Sequence, residues 1–229
     1  MIILLLAYGL LLGSFYNVVG LRIPLKKSIV KPRSACPYCR HTLTAKELIP
    51  VLSYIMQGGK CAQCKERISP LYPLMELTTG LLFLLSYIIL GIQPELVVAL
   101  TLVSLFMIIT VSDLKYMVIP DKVLLFFSVL FIIERIFIPL NPWWDSVGGS
   151  ITGFCLLLLI AIISKGGMGG GDIKLFAVIG FVVGVKVMLF SFFLATLFGA
   201  VAGITGLMLG LYKKGQPIAF GPYIVIGTL

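Results

Sequence analysis

The sequence predicts an all-α polytopic membrane protein of about seven transmembrane helices plus the start of an eighth, carrying a small zinc-binding insert on the cytoplasmic side. Three observations predict it. Of the 229 residues, 59% are apolar and only 12% are charged, against about a quarter charged in a typical soluble domain. Mean hydropathy is +1.11. The charge is also confined: of 18 basic and 9 acidic residues, ten basic and two acidic fall between Leu21 and Pro70. A water-soluble globule is excluded, and the chain reads as bilayer-length apolar runs interrupted once.

Taken in order, residues 1–20 form the first span. They carry no charge, and the first basic residue, Arg22, follows the apolar run. A secretory signal peptide has the opposite order, so this is an uncleaved span with its N-terminus outside. Residues 21–70 are the insert. Residues 71–229 are the membrane-embedded core, with apolar runs at Leu71–Leu90, Leu96–Val111, Val123–Ile138, Val147–Ser164, Ile173–Gly184 and Met188–Tyr212. A spanning helix needs about 20 residues. The run Ile173–Gly184 is too short for that, and it is expected to start below the surface, thin the bilayer or line a wet cavity. The chain stops at Leu229, soon after Pro217, where an eighth span would be starting, and so reads as C-terminally truncated.

Alternating these spans from an outside N-terminus makes a charge pattern that follows the positive-inside rule. The inside connections carry the ten basic residues of the insert, then Lys115 and Lys122, Lys165 and Lys174, and Lys213 and Lys214. The outside turns 91–95 and 139–146 carry none. Lys186 and the Glu134–Arg135 pair, read as a local ion pair, fit less well. Of the net charge of +9, +8 lies in the insert. Beside bilayer-length segments this argues for a cytoplasmic loop and a lipid environment, and against a nucleic-acid partner.

Cys36-Pro37-Tyr38-Cys39 and Cys61-Ala62-Gln63-Cys64 are two CxxC knuckles separated by 21 residues. That spacing suits one tetrahedral four-thiolate zinc site. Four thiolates close the coordination shell, so the metal is expected to fold the insert and to do no chemistry. The alternative is a set of redox or free thiols. His41, beside the first knuckle, is a possible substitute ligand, and Cys155 in an apolar run is read as inert packing.

Ionisable residues at membrane depth are functional candidates by default. Asp113 stands at the end of the third span. Asp172 closes a glycine-rich turn, Gly166 to Gly171, before the short sixth run. Both fall on the same side of the membrane. Each has a plainer reading, Asp172 as a helix N-cap and Asp113 as an end-of-helix carboxylate balanced by Lys115. Together, two carboxylates at one partly desolvated surface share a proton, one activating water and the other polarising a peptide carbonyl. Asp121, Glu76 and Glu134 are the other border acids, read as caps, packing groups or substrate contacts. The chain has one histidine and no G-x-S-x-G, H-E-x-x-H or Walker motif. A proton-coupled transporter using the same acids is the alternative reading.

These residues, together with Gly13-Ser14-Phe15-Tyr16-Asn17-Val18, Arg22 and Pro24, Ile49-Pro50-Val51-Leu52-Ser53-Tyr54, Gly59-Lys60-Cys61, Tyr72-Pro73-Leu74-Met75-Glu76-Leu77, Ile119-Pro120 and Gly169-Gly170-Gly171-Asp172-Ile173-Lys174, resemble the type IV prepilin peptidases. These are bacterial membrane aspartyl proteases with a glycine-x-glycine-aspartate motif. The resemblance implies Asp113 and Asp172 as the catalytic pair, with Gly169, Gly171 and Lys174 supporting the loop. It implies a prepilin or pseudopilin substrate, cleaved after a glycine at the cytoplasmic face of the inner membrane. With the tetracysteine insert it implies N-methylation of the new terminus by S-adenosylmethionine, through residues the motifs do not identify. It leaves the oligomeric state open.

Overall fold

The computed structural model describes residues 1–164, 168–210 and 219–229. Lys165, Gly166, Gly167, Lys213, Lys214, Pro217 and the end of the seventh apolar run lie outside the described residues. Among those described there is no strand, only two isolated β-bridges in the insert. In hydrocarbon every backbone N–H and C=O must be satisfied within its own segment, which a helix does by itself. The helices are α1 (Ile2–Arg22), α2 (Leu52–Met56), α3 (Leu71–Leu90), α4 (Glu95–Tyr116), α5 (Asp121–Phe137), α6 (Asp145–Ile163), α7 (Gly170–Met208) and α8 (Gly221–Thr228).

Helices α1, α3, α4, α6 and α7 are each long and apolar enough to cross a membrane. Helix α5, with 17 residues, is about 25 Å long at 1.5 Å per residue. At 39 residues α7 runs about 58 Å, close to two hydrocarbon cores of about 30 Å. It is broken at Gly184, whose φ of 80° and ψ of 174° are not helical. The break divides α7 into the sixth and seventh runs, and α8 is a helix of 8 residues. Two boundaries differ from the hydropathy reading. Helix α4 continues through Ser112 to Tyr116, so Asp113 lies inside it. Helix α7 starts at Gly170 with Gly169 as its N-cap, so Asp172 is a first-turn residue and not the cap.

The break at Gly184 is satisfied by charged side chains. Arg135 Nε donates to the Val182 carbonyl at 2.9 Å, and its Nη1 to the Ile138 carbonyl at the end of α5 at 3.0 Å. Asp145 Oδ1 accepts the Val185 N–H at 3.3 Å. A helix interruption leaves orphan carbonyls on one side and orphan N–H groups on the other. Here a guanidinium meets the first and a carboxylate the second. The Arg135 charge that fits the loop pattern poorly therefore has a structural task.

The chain forms two compact units, Met1–Val111 and Ser112–Leu229. In the first, α1 packs on α3 through small residues: a Cβ on Gly13 would lie 2.8 Å from the Glu76 Cα. The buried Tyr16 hydroxyl donates to Ser104 Oγ at 2.6 Å. In the second, α6 packs on α7. Gly149 meets Gly180 backbone to backbone, and Gly153 faces the Phe176 carbonyl. Close approach through small residues is the usual basis of helix packing in lipid. Gly149→Leu is therefore expected to pry α6 from α7 at a cost of about 3 kcal/mol or more, read as a lowered thermal midpoint of the detergent-solubilised protein.

Candidate active site and cysteine module

The cysteine module is two copies of one local turn. Cys36 N–H donates to the His41 carbonyl and Arg40 N–H to the Cys36 carbonyl; Cys61 N–H donates to Glu66 and Lys65 N–H to Cys61 in the same way. Antiparallel bridges Ala35–Thr42 and Lys60–Arg67 close the two turns. Arg40 and Lys65, at matching positions, have φ of 59° and 61°. Such left-handed conformations are uncommon outside glycine, and their recurrence shows that each turn is shaped to aim its two sulfurs inward.

The four Sγ atoms lie within 4.8 Å of one another, with Cys36 to Cys64 at 3.8 Å and Cys39 to Cys61 at 3.9 Å. A tetrahedron with Zn–S bonds of about 2.3 Å has S···S edges of about 3.8 Å. The geometry therefore suits a zinc ion. N–H groups of Cys64 and Gln63 aimed at the Cys61 sulfur lower its pKa, and the crowded sulfurs of Cys39, Cys61 and Cys36 hold the Cys64 thiol up, so the four thiols do not ionise alike. His41 is elsewhere: its Nε2 lies 3.2 Å from Glu47 Oε2. Glu47 also accepts the Thr44 N–H and hydroxyl, each at 2.8 Å, tying Thr44, ahead of the 3₁₀ turn Lys46–Leu48, back onto it. Cys155 is exposed on α6 rather than packed.

The motif residues of the first unit converge. Glu76, buried in α3, accepts the Val51 N–H on Oε2 at 2.8 Å and bonds the Ser14 side chain. Asn17 Nδ2 donates to the Tyr72 carbonyl at 3.1 Å. Val51 has φ 61°, an outlying conformation for a β-branched residue, held by that carboxylate.

In the second unit Asp113 and Asp172 lie within electrostatic reach of each other. Asp113 is 6% exposed and its Oδ2 accepts the Gly221 N–H, at the start of α8, at 2.7 Å. The turn that ends α4 is tied by Ser112 Oγ to the Val118 carbonyl at 2.5 Å. Asp172, in the first turn of α7, interacts electrostatically with Asp113. Gly171 passes close to Ile119: a Cβ there would lie 2.8 Å from the Ile119 Cβ. Gly169 leaves the same kind of room beside Asp172 Oδ2, at 2.9 Å. Lys174 turns away from the pair and bonds Asp121 Oδ1 at 2.8 Å, linking the first turns of α7 and α5. Both partners are largely exposed, so this ion pair contributes little stability. Sequence reasoning missed Gly221, whose one signal is a Gly-Pro pair opening a helix.

The sequence matches known proteins. Residues 7–90 match the model of the bacterial peptidase A24 N-terminal domain, and residues 100–204 match that of the type IV leader peptidase family. A prepilin leader peptidase/N-methyltransferase of Bacillus subtilis is 47% identical over 229 residues, covering 100% of this chain and 92% of its own. This chain belongs to the type IV leader peptidase family. Proteins of the same name from Aeromonas salmonicida and Neisseria gonorrhoeae are each 32% identical, covering 96% and 95% of this chain and 86% and 85% of their own. No solved structure matches. The chain is thus a multi-pass membrane peptidase of that family.

Proposed function

We propose that the chain is an aspartic endopeptidase that removes the leader of type IV prepilins or pseudopilins. It cuts after a glycine at the cytoplasmic face of the bacterial inner membrane, with its N-terminus outside. The observation that carries this reading is that Asp113 and Asp172, 59 positions apart in a chain with only nine acids, lie in one unit within electrostatic reach of each other, with Asp113 Oδ2 fixed by the Gly221 N–H at 2.7 Å. In this scheme the ionised carboxylate takes a proton from water as its oxygen forms a bond to the scissile carbonyl carbon. The protonated carboxyl delivers its hydrogen to the carbonyl oxygen, giving a tetrahedral diol. Collapse breaks the C–N bond: the carboxylate that gave its hydrogen takes one back from a diol hydroxyl, and the proton taken from water passes to the leaving amine, which restores the pair. Gly221 N–H fixes one oxygen of Asp113. Gly169 gives the Asp172 carboxyl its room, Gly171 lets the turn pack on Ile119, and Gly170, with nothing within 4 Å of where a Cβ would stand, leaves the open side for a substrate backbone.

Cys36, Cys39, Cys61 and Cys64 would hold a structural zinc that folds the module. The methyltransferase half of the relatives' name suggests that this chain also methylates the new N-terminus with S-adenosylmethionine. The open groove beside the module is lined by Val51, Tyr54 and the start of α3, with no charged side chain. That lining does not fit a zwitterionic sulfonium donor, and no residue is assigned to it. Incubating the purified protein with a prepilin and labelled methyl donor, then weighing the products, tests both activities. An uncleaved prepilin would overturn the peptidase reading.

Asp113 is also held sterically. A Cβ on Gly221 would come within 2.8 Å of Asp113 Oδ2 and 3.2 Å of its Cγ. Gly221→Ala is therefore expected to displace the carboxylate and lower kcat about 10²-fold with KM little changed, since sub-ångström placement carries such factors. Steady-state kinetics on a prepilin peptide measure it.

A further inference from the structure

Helix α2 has an apolar face with nothing on it. Leu52, Ile55 and Met56 recur at helical spacing and are 59%, 66% and 86% exposed, and Ile49 just before them is 45% exposed. Water-facing residues at this density would be costly in a module that otherwise presents charge. The direction of this face is fixed: Glu76 grips the Val51 N–H and holds its outlying φ, which turns the chain immediately before Leu52. Beside α2 lies a shallow apolar groove of about 530 Å³ lined by Val51, Tyr54, Pro70, Leu71, Leu74 and Leu77. It leads onto the exposed stripe of α3, Leu74, Leu77, Leu81, Leu85 and Ile88, which faces hydrocarbon in a membrane-spanning helix.

We propose that the cysteine module docks on anionic lipid: the α2 face and its groove take acyl chains, and the module's basic residues take the phosphate headgroups. Charge decides among occupants. The insert carries +8, with Lys46, Lys60, Lys65 and Arg67 exposed, and the turn that holds Lys46 packs on α2. A basic leader peptide is repelled by that charge, and a second copy would bring +8 against +8. An anionic leaflet is attracted by every one of these residues, and its acyl region continues the α3 stripe without a gap in polarity. The insert then lies on the membrane as a third attachment beside α1 and α3.

The test uses the full zinc-loaded chain in nanodiscs of phosphatidylcholine alone or of phosphatidylcholine with phosphatidylglycerol, reading amide hydrogen exchange over residues 48–57. Exchange is expected to be several-fold slower with phosphatidylglycerol, and raised salt is expected to reverse this. The variant L52S/I55S/M56S is expected to lose the protection while keeping its zinc. K46Q/K60Q is expected to weaken it with the apolar face intact. Equal exchange in the two lipids overturns the proposal. So does protection that appears only when a prepilin peptide is added, which would assign the face to substrate, or only when two chains share a disc, which would assign it to a second copy.

Discussion

Asp113→Asn and Asp172→Asn are each expected to lower prepilin cleavage by about 10²–10⁴-fold without changing the thermal midpoint. Asparagine keeps the shape of aspartate, and at position 113 its amide oxygen still accepts the Gly221 N–H that Oδ2 now accepts at 2.7 Å. What is lost is the proton chemistry. Cleavage needs one carboxylate to receive a hydrogen from water while another gives one to the carbonyl, and a single acid cannot do both in one step. The double variant should therefore be no worse than either single one, because groups acting as a unit are not additive. Product mass over time is the measurement. Cleavage retained in either single variant would remove the pair from the mechanism.

The helices were legible because lipid enforces a simple rule, about 20 apolar residues per crossing, and the hydropathy runs reproduce α1 and α3 through α7 within a few residues. The end of the sixth run at Gly184 even marks the break inside α7. What hydropathy could not see was backbone continuity through polar residues. It stopped the third span at Val111, although Ser112 to Tyr116 continue the helix, and it started the sixth run at Ile173, although the helix begins at Gly170. Contacts made across long stretches of chain were invisible for another reason. Gly221 meets Asp113 across 108 positions, and Arg135 serves a carbonyl of Val182 across 47. No local pattern encodes either. The cysteine spacing announced the knuckles, but not the positive φ at Arg40, Lys65 and Val51, because residues with side chains rarely adopt it and nothing in the local sequence reports when they do.

Removing the metal is expected to unfold the cysteine module and leave the membrane helices standing. Structural zinc contributes about 10–16 kcal/mol to small four-ligand modules, as much as the whole stability of an ordinary domain. The turns at Cys36–Arg40 and Cys61–Lys65 have little else to hold them. Helices α1 and α3 rest on lipid and on contacts such as Gly13 against Glu76, which do not involve the ion. Chelation, or Cys61→Ser at the most buried of the four thiols, should therefore release zinc and bring exchange of residues 35–42 and 60–67 to the rate of an unfolded chain. Exchange in α4 should stay slow. Cys155→Ser, on the exposed face of α6, should change neither and is the control for thiol loss as such. Slow exchange in the knuckles of fully stripped protein would mean that a disulfide or side-chain packing holds the turns, and the redox reading of the four cysteines would then replace the metal one.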